Sequence, residues 1–195
     1  MMINRTLKET EVLMESVVRL ILKIPENDNG KIRIAYGANS KTGSAPVHNP
    51  QDSVCYIHVD PTDDGYGQQH HIKYINGKEI AGDMTEVDEY TEEFTAAFSL
   101  YGEDAYDQAR KLRDGIYGIA IKEFLWGKHI HPKTGIPAIA QTHEIINTIW
   151  VNRCDLTVVF YSKVRIEREN AVKNIEKVNI ALKNDNKNSL PKEGD

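Results

Sequence analysis

Residues 89–117, EYTEEFTAAFSLYGEDAYDQARKLRDGIY, decide the fold. Phe94, Ala96, Phe98 and Leu100 fall at every second position, with Thr91, Glu93, Thr95 and Ser99 between them. That period predicts a strand over 89–101 with one apolar and one polar face. The period then changes. Gly102 makes a turn, and Glu103 and Asp104 sit where a helix N-terminus favours negative charge. Ala105, Ala109, Leu112 and Ile116 form a helical stripe, and Arg110, Lys111 and Arg113 fall late in the helix.

The rest of the chain repeats these two patterns. Residues 3–24 read as an amphipathic helix, with Ile3, Leu7, Val17, Leu20, Ile21 and Ile24 at helical spacings, stopped by Pro25. KIRIAY (31–36) and VCYIHV (54–59) read as strands. Between them, residues 37–53 hold Gly, Ser, Asn and Pro and almost nothing apolar, so a long loop is expected. DPTDDGYGQ (60–68) is turn chemistry. Residues 70–82 carry a hairpin signal at Asn76-Gly77, which tolerate the positive φ of a type I′ turn.

The segment 117–153 is punctuated by Gly118, Gly127, Pro132, Gly135 and Pro137, with one short element expected near 144–150. DLTVVFYSKVRIE (155–167) is a second clear strand, with Leu156, Val158, Phe160, Val164 and Ile166 on one face. IEKVNIAL (175–182) reads as a further strand, and the polar tail 183–195 as frayed. The sum is an α+β fold, a mainly antiparallel sheet with helices packed on one face. A single domain over 1–182 is expected, with loop insertions at 37–53 and 117–153.

The chain has 195 residues, is 40% hydrophobic and 27% charged, and carries a net charge of -5. That composition supplies a core and excludes wholesale disorder. The acidic balance, with a pI near 5.8, argues against gripping nucleic acid through overall charge. No apolar run approaches the roughly 20 residues that span a bilayer, so no membrane partner is expected. The opening MMINRTLKETE lacks a signal-peptide pattern. Cys55 and Cys154 are read as two half-buried thiols of a reducing cytoplasm.

Candidate chemistry is sparse. His129 and His131 form an H-x-H pair, whose imidazoles would share a face on a strand and reach one metal ion. No third ligand accompanies them, and Gly127 and Pro132 place them in a loop. His70 and His71 are adjacent and would point apart. DPTDDG (60–65) matches a calcium loop at Asp60, Asp64 and Gly65, but His71 stands where a bidentate Glu is needed. GANSKTGS (37–44) has the wrong spacing for a phosphate loop, with Ser44 in the lysine position. No G-x-S-x-G elbow or Cys/His/Asn nucleophile signature is present, and no cofactor is expected.

Charge distribution says more. Residues 83–109 contain no Lys or Arg but carry nine acidic residues, Glu86, Asp88, Glu89 and Glu93 among them. Residues 163–183 reverse the balance, with Lys163, Arg165, Arg168 and Lys173 among the bases. The plain reading is two solvated faces. The functional reading is an acidic face on one copy meeting a basic face on the next, a head-to-tail contact that closes into a ring.

Three segments carry a family resemblance: EEFTAAFSLYGEDAYDQARKLRDGIY, WVNRCDLTVVFY and NIEKVNI, in that order and spacing. Over residues 86–182 the chain resembles the neck or tail-terminator (tail-completion) proteins of long-tailed bacteriophages. The resemblance implies an α+β subunit of a ring, typically of six copies, at the head-proximal end of the tail tube. Such a ring stops tube growth, docks the head-completion proteins and passes viral DNA through its hole. It implies a virion protein, assembled in the host bacterial cytoplasm, with no catalytic residues. Its implied partners are its own copies, the tail tube protein, the head-completion or neck protein and a sheath protein. Glu86, Asp88, Glu89 and Glu93, with Lys163 and Arg165, are the residues expected at the lumen or between subunits. A tail-tube or head-completion (stopper) subunit is the nearest alternative, and a small metal-dependent enzyme using His129 and His131 a more distant one.

Overall fold

The computed structural model describes residues 5–28, 30–35, 52–62, 65, 69–76, 83–146 and 148–173. Helix α1 (Leu7–Leu22) begins at a Thr6 cap: the Glu9 N–H donates to the Thr6 hydroxyl, and the Thr6 N–H donates to the Glu9 carboxylate. It ends where Lys23 turns left-handed, at φ 55°. Strand β1 (Ile32–Ile34) lies parallel to β2 (Val54–Thr62). Strands β3 (His71–Asn76) and β4 (Asp83–Tyr101) precede α2 (Ala105–Ile116) and α3 (Ile119–Trp126). Strands β5 (Ile130–Pro132), β6 (Ile139–Ile146) and β7 (Ile149–Lys173) complete the described elements.

The seven strands form one sheet in the order β1-β2-β4-β7-β5, with β3 also on β4 and β6 also on β7. Every pair but β1–β2 is antiparallel. The centre is the long pairing of β4 with β7, from Asp83 opposite Lys173 to Tyr101 opposite Arg153. The α+β architecture read from the sequence is the one observed.

The core lies on one face. Phe94, Ala96, Phe98 and Leu100 of β4 and Cys154, Leu156, Val158 and Phe160 of β7 share it, and all are buried. Met14, Val17 and Val18 of α1, the α2 stripe and Ile121 and Leu125 of α3 pack onto them. Each large apolar side chain buried there is worth about 1.5–3 kcal/mol against exposure. Phe94 and Phe160, directly opposite in register, stack at 5.3 Å. The helices α1 and α2 meet closely at Gly115, where a Cβ would lie 2.6 Å from Ile21 Cγ2.

Several local expectations change. The strand β2 continues through Asp60 and Pro61 to Thr62, which sequence had given to a turn; proline is tolerated near a strand end, where pairing on the β1 side has already stopped. The strand β3 pairs with β4, Ile75 opposite Thr85, where the sequence reading had a hairpin turning at Asn76-Gly77. Gly77 of the expected turn lies outside the described residues. So do Ile3, Tyr36 of the expected strand 31–36, residues 37–51 of the expected loop, Asp64 of the calcium pattern, the expected strand at 175–182 and the tail 183–195. The punctuated segment 117–153 carries α3, β5, β6 and the start of β7, because its glycines and prolines fall between short elements. Cys55 and Cys154 are both free and fully buried, not half-buried: they flank Leu100 across the sheet, on its core face.

Candidate interaction surface

The strand pairing β4–β7 brings the acidic run and the basic run onto each other. The register sets Glu86 opposite Arg168, Glu89 opposite Arg165 and Thr91 opposite Lys163. Cross-strand neighbours stand about 4.5–5.5 Å apart at Cβ, within reach of long charged side chains. Residues 83–92 and their β7 partners extend beyond the apolar core pairs at 94–100, so both faces of this part of the sheet carry charge.

On the face turned away from the helices, Glu89 is the hub. Its carboxylate lies 3.1 Å from Lys73 of β3, 3.4 Å from Arg165 and 3.6 Å from Lys163. The hydrogen bond from Lys73 holds the Glu89 carboxyl below its usual range; partial burial opposes this, and the charges of Lys163, Lys73 and Arg165 add to it. Arg165 also reaches Glu167 at 2.8 Å. Glu93, buried, accepts from Lys133 at 3.0 Å, and that bond with a second that Lys133 donates to the Tyr161 oxygen raises the Lys133 ammonium above its ordinary value.

On the helix-bearing face, Arg168 pairs with Glu86 and lies 3.7 Å from the buried Asp88. Asp88 also meets His70 Nδ1 at 2.9 Å, and the His70 ring lies 4.5 Å from that of Tyr90. Across both faces, the acids Glu86, Asp88, Glu89, Glu93 and Glu167 meet the bases Lys73, Lys133, Lys163, Arg165 and Arg168, five against five. These ten side chains therefore form a lattice of paired charges.

Sequence reasoning separated these charges into two patches meant for different copies. The structure pairs them first within one chain. The bases Lys73 and Lys133 were missed, because they lie outside both charged runs and reach them only through strand pairing. A second polar network was missed as well. The Tyr101 hydroxyl donates to Glu144 at 2.9 Å, Arg153 reaches both Glu144 and Asp155, and Ser99 donates to Asp155 at 2.6 Å. Burial, with the bond to Glu144, pushes the Tyr101 phenol up to about 12.

The histidine pair does not form a metal face. His129 is exposed and left-handed at φ 58°, outside the strand, while His131 lies in β5 with its ring edge-on to Trp126 at 5.9 Å. Asp60 pairs with His58 at 2.9 Å. Among the described residues no three His, Cys, Asp or Glu side chains are grouped to hold a metal ion, and no helix is long and apolar enough to cross a membrane.

Apolar side chains are exposed at two strand edges: Ile72 and Tyr74 on β3, and Ile145, Ile149 and Trp150 at the β6–β7 hairpin. Compared with known proteins, residues 13–186 match the model of the family described as phage neck terminator protein. No curated protein matches the chain significantly.

Proposed function

The chain belongs to the phage neck terminator family, and from that premise we propose that it forms a ring, of six copies, at the head-proximal end of the tail tube. There it ends tube polymerisation and offers a docking surface to the head-completion and neck proteins, and to a sheath protein where the tail has one. The duplex passes through the hole, and no bond is made or broken. The observation that carries this reading is the family match over 13–186. The family itself makes the chain a structural component of the virion neck that associates with tail and head proteins.

The physical features support the reading. A tube subunit presents complementary surfaces above and below, so its growth is open-ended; a terminator matches the tube on one side and fails to match it on the other. We place Glu86, Asp88, Glu89, Glu93, Lys163 and Arg165 at the lumen or at a subunit contact. Their balanced pairing suits a wall over which duplex slides, since unpaired lysines and arginines would hold phosphate. Subunit contacts in a stable ring bury on the order of 1,600 Å².

Deleting the gene tests the reading. Electron microscopy of the lysate is expected to show heads and tails unjoined, with tube ends left open. Particles that join normally would overturn it. Imaging the purified protein separates the nearest alternative: a terminator gives closed rings or single subunits, whereas a tube protein grows into long cylinders.

A further inference from the structure

A ring built head to tail joins two unlike surfaces of each copy. Among the described residues, two strands longer than three residues lack a neighbour along the whole of one edge: β3 beyond β4, and β6 beyond β7. They lie on opposite sides of the sheet. Since β3 opposes β4, β4 opposes β7 and β7 opposes β6, the two run in opposite directions. Copies in the same orientation would therefore bring β6 of one antiparallel to β3 of the next.

The backbone groups are turned correctly for this pairing. In β7, the Asn152 carbonyl accepts from Gly102 beside β4, whereas the Val159 carbonyl accepts from Lys133 at the other edge. Even β7 residues thus turn their backbone groups toward β4, and odd ones toward β6. In β6, Ala140, Thr142, Glu144 and Ile146 oppose odd residues of β7 and are bonded to them. Gln141, His143 and Ile145 turn outward. On the other side, Cys55 donates to Lys31 and Ile57 accepts from Ala35, so odd β2 residues face β1 and even ones face odd residues of β4. In β3, Lys73 and Ile75 oppose odd residues of β4, which leaves Ile72 and Tyr74 turned outward. The outward residues of both edges lie on the helix-bearing face, so joined sheets keep all their helices on one side.

The side chains agree. Ile72 and Tyr74 are half exposed on that face, as is Ile145. On the opposite face β3 carries Lys73 and β6 carries Glu144, of opposite charge. Edge strands are ordinarily guarded by charge, proline or shortness. Here β1 and β5 are three residues long and the free stretch of β2 holds Asp60 and Pro61, while β6, IAQTHEII, carries no lysine or proline.

We propose that β6 of one copy pairs with β3 of the next, with Ile145 opposite Ile72, Glu144 opposite Lys73 and His143 opposite Tyr74, so that the sheet continues from subunit to subunit. This deepens the ring reading and rests on it.

In this register Ile75 faces Thr142 at a non-hydrogen-bonded position, where Cα atoms stand about 4.5 Å apart, within disulfide reach. Phage particles carrying Ile75→Cys together with Thr142→Cys, mildly oxidised, are expected to give a ladder of covalent multimers on a non-reducing gel. The native thiols, both buried, add none. Particles that contain the protein but give no ladder overturn the edge assignment and leave the ring standing. Dimers from Thr142→Cys alone would replace the assignment with a two-fold β6–β6 contact, and a cross-link to a different particle protein would give β6 to that protein. Joined particles that lack the protein altogether overturn the neck reading, and this proposal with it. As a second arm, His143→Pro removes an outward N–H while proline remains compatible with an edge strand. His143→Pro is expected to abolish rings and His143→Ala to keep them, both with unchanged circular dichroism; rings from His143→Pro overturn the proposal.

Discussion

At the scale of single residues, Gly102 and Glu89 show how position outweighs identity. Gly102 has φ 110°, and a Cβ there would lie 3.0 Å from the Ser53 Cα. Its N–H donates to the Asn152 carbonyl at 3.3 Å, so the turn from β4 into α2 is also tied to β7. A left-handed backbone against neighbouring backbone leaves room for glycine alone. Gly102→Ala is expected to cost about 1–3 kcal/mol, measured as a lowered urea midpoint. For Glu89, the carboxyl is held lower in the folded chain than its ordinary value of 4.5. A depressed carboxyl stabilises the fold above the unfolded value, and that contribution is lost as pH falls through the folded one. Glu89→Gln is therefore expected to be less stable than the parent at pH 7, with a smaller gap at pH 3. Urea titrations at the two pH values measure it, and a gap that stays constant would remove the charge pairing as its cause.

At the scale of elements, the two clearest patterns were legible because they are local. Alternation over 89–101 and the stripe Ala105, Ala109, Leu112 and Ile116 emerge as β4 and α2, and all four stripe residues are fully buried. Leu112→Ala is expected to cost about 2–5 kcal/mol, read by thermal melting, while Trp150→Ala at the exposed hairpin should change the monomer within about 0.5 kcal/mol. The segment 117–153 was less legible for a physical reason. Its elements are short, and β5 and β6 are strands chiefly because β7 offers them an edge. Periodicity over three to eight residues carries little information when the decisive partner is distant in sequence. The same reason moved the hairpin: Asn76-Gly77 is a turn signal, but β4 supplies the pairing partner of β3 from residue 84 onward.

At the scale of the whole molecule, the three described helices cover one face of the sheet and leave the other to polar networks and paired charges. The bases of these pairs are largely exposed while Glu93 and Glu89 are largely buried, so each pair is only partly screened by solvent. The strand edges are a separate matter. The double variant Ile72→Ser with Tyr74→Ser removes half-exposed apolar area that the monomer does not bury. It should leave the melting temperature of the monomer near that of the parent while reducing rings in electron micrographs; an equal loss of both would make β3 a folding element and no contact.

The amino-acid order alone dictated the α+β class, the long central strand, the helix that follows it and the apolar face between them, because backbone geometry reads a period of 2 or 3.6 residues directly. It also placed every member of the acidic and basic runs. That Glu86 meets Arg168 and Glu89 meets Arg165 was decided only in three dimensions. Those partners stand more than seventy residues apart, and a shift of one position in the register would turn each of them to the opposite face.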